Sequence, residues 1–363
     1  MTRSLSLLSR LFVPFLSIFL VAGLPISAVC TLSAPAAAQG APDNQVFDVQ
    51  FFGDVFFPGH VLNQKKSVTP TPNPLAAMGA MISTSRVNVV NFEGVATRAF
   101  FPNLLKTHLL RTPPKSLPLL RAAGITGITL ANNHSMDFGI QGLFDTLAYS
   151  KIAGLLVAGA GFDEEQAKTP MIVTSATSTY CIFALSRTLP MSFWATPFRG
   201  GTATTSIADA SNLFSSCSGT AQYPIASIHW GRELSRDVQD YQRLLAHSFI
   251  DGGAIAVIGH HPHILQEIEI YKGRPIFYSL GNFAFGSLTG PGRQEGAAVA
   301  ILKDFDDSFL FRVSGINVEN RIVQYVPRPF SFKEKSTLTP IIEKTKGCQK
   351  MAASDSYLCK FTQ

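Results

Sequence analysis

Five short apolar runs, each ending in a polar loop, constrain the fold of this chain more than any other feature. Val46 to Phe52 leads into Gly53-Asp54, Arg86 to Val90 into Asn91-Phe92-Glu93-Gly94, and Ile125 to Leu130 into Asn132-Asn133-His134. Tyr223 to Ile228 leads into His229-Trp230-Gly231, and Ala254 to Ile258 into Gly259-His260-His261-Pro262-His263. Runs this short, rich in Val, Ile, Phe and Thr and lacking polar alternation, suit strands buried on both faces. Helical patterns lie between them. Lys115 to Ala123 stops at Gly124, Ile140 to Ala153 at Gly154, and Arg236 to Asp251 at Gly252-Gly253, the last placing Val238, Tyr241, Leu244, Leu245 and Phe249 on one face. Strands alternating with helices predict an α/β architecture with substantial parallel sheet. Ligands in such sheets gather at the carboxyl ends of the strands, so one rim is expected to collect all five loops.

Beyond Lys272 the pattern changes. A turn at Lys272-Gly273-Arg274-Pro275 precedes strands expected near Ile276 to Ser279, Ala297 to Leu302, Phe309 to Val313 and Ile316 to Tyr325, an antiparallel tail of the sheet. The Thr/Ser/Gly-rich stretch from Gly200 to Thr220 reads as a surface insertion loop. With 46% hydrophobic and 15% charged residues the chain can bury a large core, which excludes general disorder. One main domain is expected over residues 46–330, with residues 331–363 as a C-terminal extension.

The start of the chain reads as a secretory signal. Arg3 and Arg10 precede an apolar run from Leu11 to Val29, and Ser33-Ala34-Pro35-Ala36-Ala37-Ala38-Gln39 suits cleavage after Ala38, leaving residues 39–45 as a linker. The alternative is a retained anchor, but Pro14 and Pro25 interrupt the run; a lipid anchor on Cys30 is poorly served by Val29. Losing Arg3 and Arg10 takes the formal charge from +6 to +4, too mild and too scattered to argue for nucleic acid. Export places Cys181, Cys217, Cys348 and Cys359 where disulfides persist. Three connectivities are open; Cys348 with Cys359 and Cys181 with Cys217 is the preferred one, against a buried free thiol at Cys181.

Each polar loop is a weak signal alone. Gly53-Asp54 is ordinarily a turn whose Asp caps backbone amides. Asn91 and Glu93 point to one side if the strand runs through them, although a loop Glu is ordinarily solvated. In Asn132-Asn133-His134 an amide oxygen can bind a metal beside a proton-carrying imidazole, or the group can cap local backbone. The histidines tip the balance, because four of the eight, His229, His260, His261 and His263, stand at strand ends, where packing does not call for them. Carboxylates (Asp54, Glu93), an amide (Asn133) and imidazoles (His229, His261, His263) make a donor set suited to Mn, Fe or Zn, as one or two ions. In a two-metal site a bridging carboxylate between ions about 3.5 to 4 Å apart activates water for attack on a phosphoryl or carbonyl centre.

Six ordered segments resemble the CapA-like capsule (poly-gamma-glutamate) synthesis proteins. They are Gly53-Asp54, Asn91-Phe92-Glu93-Gly94, Ala131 to Gly139 (ANNHSMDFG), His229-Trp230-Gly231-Arg232-Glu233, Gly259-His260-His261-Pro262-His263 and Tyr278-Ser279-Leu280-Gly281-Asn282-Phe283, within a match from about Val46 to Leu302. The resemblance implies membership of the calcineurin-like metallophosphoesterase superfamily, and so a four-layer α/β/β/α sandwich. By position it implies Asp54 as ligand of a first metal, Glu93 as bridge, Asn133 and His229 as ligands of a second, and His261 and His263 divided between them. It makes His134, after Asn133, the proton-donating or transition-state-stabilising group. Asn91, Asn132, Asp137, Arg232, Glu233, His260 and Asn282 are left to support the ligands or meet substrate. Two positions depart from the superfamily pattern: Phe56 stands where a metal-binding His is usual, and Glu93 replaces the usual bridging Asp.

The function implied is that of an exported metal-dependent hydrolase or transferase in capsule or surface-polymer synthesis. Its substrate would be an anionic polymer or a phosphorylated small molecule, its partners membrane-bound capsule-synthesis proteins, with no nucleic acid. A non-catalytic polymer-binding or export accessory is the alternative, and a periplasmic phosphoesterase acting on nucleotides a third reading, without an aromatic, basic strip to stack bases.

Overall fold

The first strand, Phe47–Phe56, is buried along all ten residues, Asp48, Gln50 and Asp54 lying among its apolar side chains, as a strand covered on both faces is. It pairs parallel with Ser85–Phe92 on one side and antiparallel with Glu295–Lys303 on the other. The computed structural model describes residues 45–62, 73–217, 219, 222–286, 294–306, 308–331, 334, 336–351 and 355–361, all within one compact unit. The expected signal segment, residues 1–38, and the linker up to residue 44 lie outside the described residues.

Two main sheets form among the described residues. The larger runs Cys348–Lys350, Ser356–Phe361, Phe309–Asn317, Glu295–Lys303, Phe47–Phe56, Ser85–Phe92, Gly127–Thr129 and Leu156–Ala158, with Asn282–Phe285 added beside the end of Phe47–Phe56. The smaller runs Ile268–Tyr271, Arg274–Phe277, Ala256–His260, Gln222–His229, Thr179–Ser186 and Met171–Thr174. Alternate residues of the strands decide the layers. Val49, Phe51 and Val89 face Tyr180, Ile182, Ile225 and Ile258 in a core between the sheets.

Phe52 and Val90 face the opposite way, where Leu117, Leu120 and Leu143 of the helices Ser116–Ala122 and Gly139–Ile152 cover them. Phe183, Ala226 and Val257 on the outer face of the smaller sheet are covered by Leu245 and Phe249 of the helix Asp240–Asp251. The order of layers is helix, sheet, sheet, helix: the four-layer α/β/β/α sandwich.

Four expectations are corrected. The stretch from Gly200 is not a surface insertion: Ala203, Ala210, Phe214 and Cys217 are buried against the smaller sheet, because small side chains and the Cys181–Cys217 disulfide let it lie close. The antiparallel tail is split between sheets, since Arg274–Phe277 pairs parallel with Ala256–His260 in the smaller one. The last tail strand ends at Asn317, and Asn320–Val323 is a helical turn. Leu244, placed on the buried face of its helix by spacing, is 56% exposed while Ala246 and Ile250 are buried. The second expected disulfide, Cys348–Cys359, joins directly paired residues of two antiparallel strands.

Candidate metal centre

Every strand that was expected to deliver a polar loop does so at one rim. Phe47–Phe56 would run past its own site were it regular, but an extra residue shifts its register against Ser85–Phe92 between Phe52 and Asp54. Such a bulge re-aims the side chain that follows it. Gly53 permits it, because a Cβ there would stand 2.0 Å from the carbonyl oxygen of Gly281, and the Asp54 N–H donates to that oxygen at 3.0 Å.

Asp54 is fully buried. Its Oδ1 accepts from Asn91 Nδ2 at 2.8 Å and lies 3.4 Å from His260 Nδ1, while Oδ2 accepts from the His261 N–H and lies 3.2 Å from His263 Nδ1. Burial works against its charge, but the imidazoles of His260 and His263 beside it outweigh that and hold the carboxyl well below the usual range.

Glu93 is equally buried, yet neither of its side-chain oxygens has a hydrogen-bond partner. Its Oε1 lies 3.6 Å from His229 Nε2, 3.7 Å from His263 Nε2 and 3.9 Å from His134 Nε2. Burial pushes this carboxyl well above the usual range against the pull of His263. His263 in turn is raised to about 9, since Glu93 and Asp54 overcome its own burial.

The second side of Glu93 is imidazole and amide. Asn133 Oδ1 is 2.8 Å from His229 Nε2, and the His229 and His261 rings stand 4.7 Å apart. Burial pushes His229 well below its ordinary value, reinforced by His261, and takes His261 to about 3. Both are neutral imidazoles, the form that binds a metal. His261 and His263 sit at φ of 96° and 60°. Left-handed backbone at non-glycine residues costs about 1–3 kcal/mol each and persists where surrounding contacts dictate it.

Two overlapping sets of ligand atoms lie within 4.8 Å of one another: Asp54, Glu93 and His263, and Glu93, His229 and His261. Atoms bound to one ion at about 2.1 Å are about 3 Å apart, so modest closure satisfies either set. A buried carboxylate with no hydrogen bond is costly unless a cation meets it. The donors therefore fit one or two divalent ions, with Glu93 common to both.

The supporting residues divide. Asn91 bridges Asp54 and His229, its Nδ2 donating to Asp54 Oδ1 and lying 3.1 Å from His229 Nδ1. Asn132 braces the loop by donating to the Phe92 carbonyl at 2.9 Å and accepting from the His134 N–H at 3.0 Å. Asn282 Oδ1 faces His263 Nδ1 at 3.0 Å. Glu233 is exposed and lines the cleft above the site, and Arg232 is exposed beside it without lining that cleft; the loop of Gly231 turns its side chain to solvent. Phe56 is buried against Phe285, ring centroids 5.5 Å apart, an apolar contact beside the site.

His134 opens onto the same cleft of about 450 Å³, with Lys106, His108, Leu110 and Leu189. Its Nδ1 lies 2.7 Å from Asp137 Oδ2, which makes Nδ1 the donor and leaves Nε2 toward Glu93. Burial lowers its affinity for a proton, against the pull of Asp137. Lys106 is a residue the motifs missed. Its ammonium pairs with Asp137 Oδ1 at 2.9 Å and donates to the Asn133 carbonyl. It stands outside any motif, and its one signal is that no acidic residue occurs between Glu93 and Asp137.

The fold and the rim together define a four-layer α/β/β/α sandwich with a carboxylate and imidazole cluster at the carboxyl ends of its strands. The chain belongs to the bacterial capsule synthesis protein family PGA_cap, whose model matches residues 48–287. It is 34% identical over 197 residues to the PGA biosynthesis protein CapA of Bacillus subtilis, covering 54% of this chain and 52% of that one. A polyglutamine synthesis accessory protein of Mycobacterium tuberculosis is 34% identical over 184 residues, 47% of this chain and 48% of that one. The chain thus spans about half the length of the curated relatives it matches. Among solved structures, the sulfate thiohydrolase SoxB is similar with a TM-score of 0.42 at 9% identity, over 73% of this chain and 55% of that chain.

Proposed function

We propose that this capsule synthesis protein is exported and acts as a metal-dependent hydrolase or transferase on an anionic surface polymer, poly-gamma-glutamate or a related chain. The observation that supports it is Glu93: both its oxygens are buried and without a hydrogen bond, between Asp54 and His263 on one side and His229 and His261 on the other. Asp54, Glu93, Asn133, His229, His261 and His263 would hold the metal, of the Mn, Fe or Zn type, which when bound polarises the reacting centre and lowers the pKa of water. Asp137 fixes the Nδ1–H of His134, so that its Nε2 is the atom that holds or moves a proton at the mouth of the cleft. Lys106 and His108 line the cleft opposite a single exposed carboxylate, Glu233, and offer hydrogen-bond donors to an anionic substrate. Two disulfides accord with an oxidising compartment, and among the described residues no helix is long and apolar enough to cross a membrane.

The test is elemental analysis of untagged protein together with turnover of poly-gamma-glutamate, a generic phosphodiester and nucleotides. Glu93→Gln and His263→Ala should each lose bound metal and turnover. Retention of both by these variants would sink the proposal, and nucleotide turnover alone would shift it to the periplasmic phosphoesterase reading.

A second reading has its own support in Phe56, which removes a ligand from the first ion. A non-catalytic accessory that binds the polymer and assists its export needs the cleft but no turnover. Metal-dependent turnover that His134→Ala abolishes excludes it.

A further inference from the structure

Four of the largest exposed apolar side chains of the molecule stand within six residues, on the lip of the candidate cleft. Phe100 and Phe101 are each 82% exposed, Leu104 is 89% and Leu105 95%, with Leu109 also exposed. The backbone that carries them is tied down. The Asn103 N–H donates to the Asp137 carbonyl at 2.8 Å, the Leu105 N–H to Asn103 Oδ1 at 3.0 Å, and the Leu110 N–H to Asp137 Oδ2 at 2.7 Å. Lys106, between the two leucine pairs, turns inward to Asp137 instead of outward. Folding leaves this apolar group in water although the chain has fixed its frame, which marks an interaction surface.

Charge indicates what covers it. From Gly94 to Met136 there is no Asp or Glu, while Arg98, Arg111 and Lys115 on either side of the apolar tip are exposed. Across the cleft, Leu189 lines the same opening and is 72% exposed. Aromatic and leucine side chains set among arginine and lysine, on a stretch of chain that carries no acid of its own, suit a surface that offers anionic groups outside and an apolar phase just beneath.

We propose that residues 100–109 form a membrane-docking loop that seats its Phe and Leu side chains among anionic lipid headgroups and brings the cleft mouth to the bilayer surface. The proposal does not rest on the metal chemistry. Through Asp137, which holds both the loop and His134, the docked surface and the candidate proton carrier share one support.

The experiment is co-sedimentation of the chain from residue 40 onward, which forms one compact unit holding every core cluster, with vesicles of phosphatidylcholine alone or mixed with phosphatidylglycerol. The mixed vesicles should carry the protein down, less so as salt is raised. Phe100→Ser, Phe101→Ser, Leu104→Gln and Leu105→Gln combined should weaken this partition about tenfold or more, with melting temperature and bound metal unchanged. The substituted side chains make few contacts, so loss of folding is not expected. Failure of the unaltered protein to sediment with the mixed vesicles, or equal sedimentation of the variant, overturns the proposal. Self-association abolished by the same substitutions, without vesicle binding, overturns it in favour of a second copy.

Discussion

Asp137 bonds to His134, accepts from the Leu110 N–H and pairs with Lys106, so one carboxylate orients the proposed proton carrier and fixes the loop beside it. Asp137→Asn keeps the size but offers an amide to Nδ1, and turnover of any substrate the protein accepts should fall by about two orders of magnitude while bound metal stays. Steady-state kinetics with elemental analysis checks this; loss of metal instead would make Asp137 a structural brace. At this scale much was legible. Asp54, Glu93, Asn133, His229, His261 and His263 each follow an apolar run, and the topology of parallel strands brings their loops together. Lys106 was not legible, because its role comes from a loop that folds back on Asp137, and nothing in its neighbours' spacing encodes that return.

Elements position the site through small departures from regularity. The bulge at Gly53 exists because the Gly281 backbone approaches where a Cβ would sit. Gly53→Ala should cost at least about 3 kcal/mol in denaturant unfolding and weaken metal binding as well. Helix Asp240–Asp251 gives a paired check on packing: Phe249→Ala should cost about 3–5 kcal/mol and Leu244→Ala under about 0.5. Its periodicity misassigned Leu244 because the apolar stripe on a covering helix is wider than the line it buries.

The same helix meets strand Ile268–Tyr271 through Arg243, His247 and Glu269, with the Tyr278 hydroxyl donating to Glu269 at 2.7 Å. Burial disfavours the Glu269 carboxylate, but Tyr278, His247 and Arg243 outweigh it and hold its pKa below the ordinary value. A group depressed on folding contributes stability above its unfolded pKa and loses it as pH falls through the folded one. Melting temperature should therefore drop between roughly pH 5 and 3 in part through Glu269, and Glu269→Gln should shallow that slope. An unchanged slope would remove Glu269 from the acid response.

For the whole molecule, the α/β class and the rim were legible from alternating strand and helix patterns, since burial on both faces leaves a recognisable run. The division of strands between two sheets was not, because a run such as Arg274–Phe277 has the same composition whichever sheet it joins. The buried path of the stretch from Gly200 was hidden for a related reason: small polar residues predict a loop, and only the disulfide and the sheet beneath make it a cover.

The placement of Phe47–Phe56 has a kinetic consequence. This fully buried strand comes early in the chain, but one of its two neighbours, Glu295–Lys303, comes late, so the centre of the larger sheet cannot close while the protein is still emerging. Pairings so distant in sequence slow folding and leave strand edges open to wrong partners. A chain halted before Glu295 should aggregate rather than form a smaller stable domain, and solubility of such truncations measures it. Completion late in synthesis is also what a polypeptide needs if it must stay unfolded long enough to be threaded across a membrane.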